Sequence, residues 1–368
     1  MQALFAYSQS KESHYNISKH NIDQAFAPDL NSMEVQDSAL LKQLATESKQ
    51  LFEKSFLDKD ARITSGSSDK VNQITQEAIE SYHDRVLKDR KFFRNQMVTQ
   101  AEKIFDRYVS ILKLFVDFAD FAESDKKING TNFVKNLLIK SLRGNKSFES
   151  VILKNNISWS NSEDEVKSWY KELFRNDKTF IEYLELTNPG FEQDAEIVQH
   201  LVKSIFKSEL FNTFMEEEDI NWSEDKAIVR SMVLKTLKEI DKDNPGDFEL
   251  MELSYNWEDD RDFFKKLYDV SLDLDEQYKE MIAQRTKNWD IDRLAAVDRI
   301  TLEMAVAEMI NFPSIPVKVT INEYIELAKN YSTPKSKQFI NGILDTISKD
   351  LMNDGSIRKS GRGLIDNR

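Results

Sequence analysis

Apolar residues recur at three- and four-residue intervals along most of this chain, the spacing of helices that bury one face. Met1, Leu4 and Phe5 predict a helix over residues 1–10, with no capping residue before it. Residues 27–37, with Pro28, interrupt the pattern, and Leu40, Leu41, Leu44, Leu51, Phe52 and Phe56 then predict a helix over 38–57. After the polar run Thr64 to Asp69, a long helical tract covers 70–122, and its last part carries a broad apolar face from Ile104 to Phe121. Further helices are predicted over 131–142, 163–185, 192–215, 223–240 and 247–254, punctuated by Asn188-Pro189-Gly190 and Asp243-Asn244-Pro245-Gly246. Apolar residues from Phe263 to Ile282 mark a helical stretch over 258–288.

The C-terminal part has the clearest boundaries. A helix is predicted over 290–310, with Leu294, Val297, Ile300 and Met304. Pro313 and Pro316 bracket an extended loop, because proline disfavours the helical region for the residue before it. A helix follows over 320–331. Thr333-Pro334 then reads as a cap and first helical position for a last helix reaching Met352. Residues 353–368 lack periodicity and are expected to form a flexible basic tail.

Composition narrows the class to all-α. Glycine (9) and proline (6) are scarce among 368 residues, so turns are few and elements long. Cysteine is absent, which removes disulfides, thiolate zinc sites and thiol catalysis, and fits a reducing cytoplasmic setting. No apolar run approaches membrane-spanning length, so no membrane partner is expected. The net charge of −13 argues against nucleic acid until its distribution is considered. Residues 285–352 hold nine basic and nine acidic side chains, and 353–368 are net +2, so the acidic excess lies before residue 285. Screening over about 8 Å keeps that excess from dominating a distant C-terminal site.

No catalytic or metal-binding pattern emerges. His14, His20, His83 and His200 are scattered, and Glu216 to Asp219 lacks the alternation of a calcium loop. Neither phosphate-loop nor dinucleotide glycine spacing occurs. Carboxylate pairs are too common in a chain with 64 acids to point to acid–base catalysis. The chain is therefore expected to be no enzyme, with no cofactor and no metal.

Two segments carry a family resemblance. Ile315-Pro316-Val317-Lys318-Val319-Thr320-Ile321-Asn322-Glu323-Tyr324-Ile325-Glu326-Leu327-Ala328-Lys329, followed by Lys337-Gln338-Phe339-Ile340-Asn341-Gly342-Ile343-Leu344-Asp345, resembles the C-terminal helices of the NusB family. Arg293-Leu294 and Val297-Asp298-Arg299-Ile300-Thr301-Leu302 extend the likeness over 258–352. Met1-Gln2-Ala3-Leu4-Phe5-Ala6-Tyr7 resembles the family's first helix. The resemblance implies a NusB-like helical bundle core closed from both chain ends. Residues 1–24 would supply the first helix, 25–255 a large helical insertion, and 256–352 the C-terminal core. Family members usually carry an arginine-rich leader before the first helix. Here no Lys or Arg precedes Lys11, so Met1 is expected to be an internal methionine, with the true start upstream.

By the same resemblance the chain is expected to be an RNA-binding transcription antitermination factor. It would bind boxA-type single-stranded RNA together with NusE, a small-subunit ribosomal protein, join the RNA polymerase antitermination complex, and promote read-through of ribosomal RNA operons. The implied RNA-binding residues are Gln2, Phe5, Lys318, Lys335, Lys337 and Phe339. An aromatic ring there would stack on an unpaired base, and the lysines would meet phosphates. Lys335 departs from family members that are acidic at the matching position. Read as ordinary structure, the two phenylalanines are core residues and the lysines solvated surface. Two rival readings remain: a helical protein-interaction scaffold whose acidic insertion is the main binding surface, and an RNA-modifying enzyme, because NusB-like domains also occur fused to RNA methyltransferases.

Overall fold

A computed structural model describes residues 1–29, 31, 35–286 and 296–365. Sixteen α-helices and no strands occur among the described residues. In chain order they are α1 (Gln2–Ala25), α2 (Ser38–Ser55), α3 (Asp69–Ser124), α4 (Thr131–Lys135), α5 (Leu137–Gly144), α6 (Lys146–Lys154), α7 (Glu163–Trp169) and α8 (Lys178–Leu184). Then come α9 (Phe191–Lys207), α10 (Glu209–Glu218), α11 (Trp222–Glu239), α12 (Trp257–Leu272), α13 (Glu276–Thr286), α14 (Ala296–Asn311), α15 (Val317–Tyr331) and α16 (Ser336–Asn353). The all-α class is as the sequence predicts. Residues 287–295, with Arg293 and Leu294 of the predicted 290–310 helix, lie outside the described residues.

The chain divides into two compact units, Met1–Val98 with Asp259–Arg368, and Thr99–Glu258. Residues 25–98 thus belong with both chain ends. The terminal unit has two cores. In one, Ile22 and Phe26 from α1 and the segment just after it, Ala45 and Phe52 from α2, and Val71, Ile79 and Tyr82 from α3 pack together. Asp37 starts α2 by accepting from the amides of Ala39 and Leu40. In the other, Leu4 of α1 joins buried residues of α12 to α16. The Thr301 hydroxyl lies 3.5 Å from the Met1 sulfur, and Tyr7 meets Tyr268 edge-on at 6.5 Å. The opening helix therefore packs against the C-terminal helices.

The second unit is built around aromatic rings, with Phe115, Phe118, Trp169, Phe174, Phe180, Phe211 and Trp222 essentially solvent-free. Three predicted helices are interrupted here by local caps and a π turn. Asn136 ends α4 and caps α5, Ser208 caps α10, and a π turn over Tyr170–Phe174 follows α7. Helix α6 was not predicted. The predicted helix over 247–254 does not form. Phe248 enters the core, the Asn145 side-chain amide donates to the carbonyls of Gly246 (3.2 Å) and Phe248 (2.8 Å), and the Met251 amide donates to the Tyr108 hydroxyl (3.1 Å). With side chains satisfying its backbone, this segment has no need of helical bonds.

The segment after α16, expected as a flexible tail, is docked through Gly363. Ile357 is buried in the terminal core, and the Ser360 amide donates to the Pro313 carbonyl at 3.0 Å. Lys359 donates to the Phe312 carbonyl at 3.0 Å. Gly363 lies so close to Pro313 that a Cβ would meet its carbonyl oxygen at 2.1 Å.

Candidate nucleic-acid interface

The six residues nominated from the sequence all lie in the terminal unit, five on three helices that share one core and Lys335 in the turn just before the last of them. On α1, Leu4 and Tyr7 turn inward, while Gln2 is exposed and Phe5 keeps 37 % of its surface. On α15, Val317, Thr320, Tyr324 and Ala328 form the buried stripe, which leaves Lys318 exposed. On α16, Phe339, Ile340, Ile343, Leu344, Ile347 and Leu351 form a wide buried face. Lys335 and Lys337 stand exposed at its amino end. Phe339 is only 7 % exposed, so Phe5 is the one of the two aromatic candidates with its ring at the surface. Leu4, beside Phe5 in the chain, and Phe339 belong to the same core.

The helix start differs slightly from the predicted Thr333 cap. Helix α16 begins at Ser336, and Thr333-Pro334-Lys335 form the turn before it. That turn is fixed by a buried carboxylate absent from the nominated set. Ser332 donates to Oδ1 of Asp298 at 2.5 Å, and Ser336 donates to Oδ2 at 2.8 Å. With its proton committed there, the Ser336 hydroxyl accepts from Thr333 at 2.9 Å. Asp298 is 6 % exposed, and both its oxygens are engaged by hydroxyl donors. This network ties α14 to the turn that carries Lys335.

A second buried carboxylate joins α14 to α15. Glu308 accepts from the Thr320 hydroxyl at 2.7 Å and the Tyr324 hydroxyl at 3.0 Å. Burial pushes the Glu308 carboxyl above its ordinary range, and these two hydrogen bonds oppose that shift. Burial, reinforced by Glu308 itself, holds the Tyr324 phenol well above its usual value.

Lys318, Lys335 and Lys337 form no ion pair with a carboxylate among the described residues. Cations at a helix amino terminus oppose its dipole, whereas an anion placed there is attracted by dipole and lysines together. The arrangement can hold phosphate groups at the amino end of α16. No group of acids and histidines among the described residues could hold a metal ion, and no described helix is long and apolar enough to cross a membrane.

Comparison with known proteins places a family likeness toward the C-terminal end of the sequence. A family model described as the NusB family matches residues 227–349, from α11 into α16, and leaves α1 outside the matched span. A transcription antitermination protein NusB from Salinibacter ruber is 46 % identical over 105 residues, covering 28 % of this chain and 66 % of that protein. The corresponding protein from Chloroherpeton thalassium is 41 % identical over 106 residues, 29 % of this chain and 50 % of its own length. The one from Bacillus licheniformis is 39 % identical over 126 residues, 34 % of this chain and 98 % of its own length. The chain thus spans half to two thirds of the first two relatives and nearly all of the third. No solved structure matches.

Proposed function

Because the chain belongs to the NusB family, we propose that it is a non-enzymatic, RNA-binding transcription antitermination factor. Helix α1 with α14 to α16 acts as the family core, and the Thr99–Glu258 unit as an elaboration of it. The observation that carries the reading is the lysine pair Lys335 and Lys337, exposed at the amino end of α16 and without ion-pair partners among the described residues. Single-stranded RNA of the boxA type lies across this face. Lys318, Lys335 and Lys337 meet its phosphates, Gln2 contributes a polar contact, and a base stacks on Phe5. Phe339 supports the surface from beneath. NusE binds the same unit, and the pair joins the RNA polymerase antitermination complex to favour read-through of ribosomal RNA operons.

The acidic balance shapes how that affinity is reached. Residues 99–258 carry 21 basic and 31 acidic side chains, net −10 of the chain's −13. Repulsion of RNA by this unit makes the NusE heterodimer the tighter binder. The test is a titration of boxA and scrambled RNA with and without NusE at about 0.15 M salt. Preference for boxA, with affinity rising on addition of NusE, supports the reading. Equal affinity for both RNAs, or no effect of NusE, counts against it. The same charge excess favours a second reading, in which the acidic unit is a docking surface for a basic protein. It gains if neutralising substitutions confined to 99–258 abolish partner capture while RNA affinity stays constant.

A further inference from the structure

A cleft of about 200 Å³ opens beside α1 in the terminal unit, between that helix, α12, α13 and α14. Three cations line it: Lys11 from α1, Lys279 from α13 and Arg299 from α14. Their partners are few. Lys279 pairs with Glu276 at 2.7 Å, whereas Arg299 reaches Glu303 only at 3.8 Å. Lys11 has no carboxylate partner among the described residues, and its ammonium lies 5.9 Å from the Tyr7 ring.

The cations also oppose one another. The Lys11 pKa is lowered first by desolvation, then by repulsion from Lys279 and Arg299. Among the described residues Glu303 is the one acid that lines the cleft. Burial pushes its carboxyl above the usual range, and the neighbouring Arg299 and Lys279 oppose that shift. Three cations converge on the cleft, and Glu276 and Glu303 answer only Lys279 and Arg299 at ion-pair distance, which leaves Lys11 for an oxyanion.

We infer that this cleft holds a phosphate group, and that the phosphate belongs to the RNA whose base stacks on Phe5. The second clause rests on the proposed function and on the helix register. Ser8, on the wall of the cleft, follows Phe5 by one turn of α1, and Lys11 follows Ser8 by another. Side chains three apart on a helix are neighbours, at about 5–6 Å between Cβ atoms. A strand stacked on Phe5 and running along α1 therefore brings a phosphate to Lys11. The site adds a contact on the opening helix to those made by α15 and α16.

The experiment uses the full chain, its Lys11→Gln and Lys279→Gln variants, and Phe5→Ala as a comparison. Sodium pyrophosphate is the first probe, read as a rise in melting temperature, because a ligand bound only by the folded state raises stability with concentration. A rise in the unaltered chain that is abolished in both glutamine variants is expected. No rise, or an equal rise in the variants, overturns the site. Single-stranded RNA is the second probe, titrated across a salt series. Lys11→Gln is expected to reduce the salt slope by about 0.7, the share of one phosphate on a single strand. Phe5→Ala is expected to weaken binding at unchanged slope. If pyrophosphate binding depends on the lysines while the RNA slope does not move, the RNA assignment is overturned and a free phosphate compound is the ligand. If the chain binds no RNA at all, the proposed function fails, and the pyrophosphate arm still decides the cleft.

Discussion

Replacing Asp298 with alanine should loosen the turn between α15 and α16 without unfolding the protein. The carboxylate accepts from Ser332 at 2.5 Å and Ser336 at 2.8 Å from a site only 6 % exposed. Hydrogen bonds to a charged group contribute about 1.5–3 kcal/mol each. Against their loss stands the desolvation of a buried charge, which the alanine variant no longer carries. The difference leaves a net destabilisation of about 2–3 kcal/mol. In a domain of this size that lowers the melting temperature by about 4–12 °C. Asp298→Asn keeps one carbonyl acceptor and the shape, so it should cost about 1 kcal/mol. Because Ser336 shares the network, Asp298→Ala and Ser336→Ala should be non-additive by at least about 0.5 kcal/mol. Chemical denaturation of the original protein, the three single variants and the Asp298→Ala/Ser336→Ala double variant measures these values, and hydrogen exchange at residues 332–337 locates the effect. An alanine variant within about 0.5 kcal/mol of the original, with unchanged exchange at the turn, would refute the reasoning.

Three further outcomes follow from the same geometry. Phe339→Ala should cost about 3–5 kcal/mol in denaturation as a core truncation, whereas Phe5→Ala should spare stability and weaken RNA binding by about 1–3 kcal/mol; the reverse pattern would exchange their roles. Because the folded state raises the Glu308 pKa above its ordinary 4.5, the stability this group contributes is complete below 4.5 and is lost as pH rises through the folded value. Glu308→Gln should therefore flatten the stability–pH curve above that point, and an unchanged slope would contradict the shift. Ile357→Ala should cost about 2–5 kcal/mol in denaturation, since the docked segment supplies a buried residue to the terminal core; no loss would mean that the segment is not held in solution.

Legibility in the sequence followed the locality of the physics. Helices α2 and α15 were readable because their apolar stripes and boundaries are local: Asp37 caps the first, and Pro316 precedes the second. The error at 247–254 arose because Phe248, Leu250 and Met251 can be read as a helical stripe. Their partners, Tyr108 and Asn145, stand more than a hundred residues away. At the candidate site, Lys318, Lys335 and Lys337 are exposed, as both the RNA-binding and the ordinary-surface reading of these lysines require. Whether Phe339 or Phe5 is buried depends on how α1 packs against α14 to α16, which no local pattern encodes. Asp298 was visible only as part of a motif. Its role required Ser332 and Ser336, 34 and 38 residues later, to be brought to its two oxygens. The cleft of Lys11, Lys279 and Arg299 was invisible for the same reason, since those residues come from three separate helices.

The central claim is that RNA is held by the terminal unit, across α1, α15 and α16, and not by the acidic unit. Photo-crosslinking the full chain to a single-stranded RNA bearing thiouridine, with the adducts mapped by mass spectrometry, tests it most directly. Adducts on peptides containing Phe5 and the Lys335–Lys337 turn are predicted. Adducts confined to residues 99–258 would contradict the account.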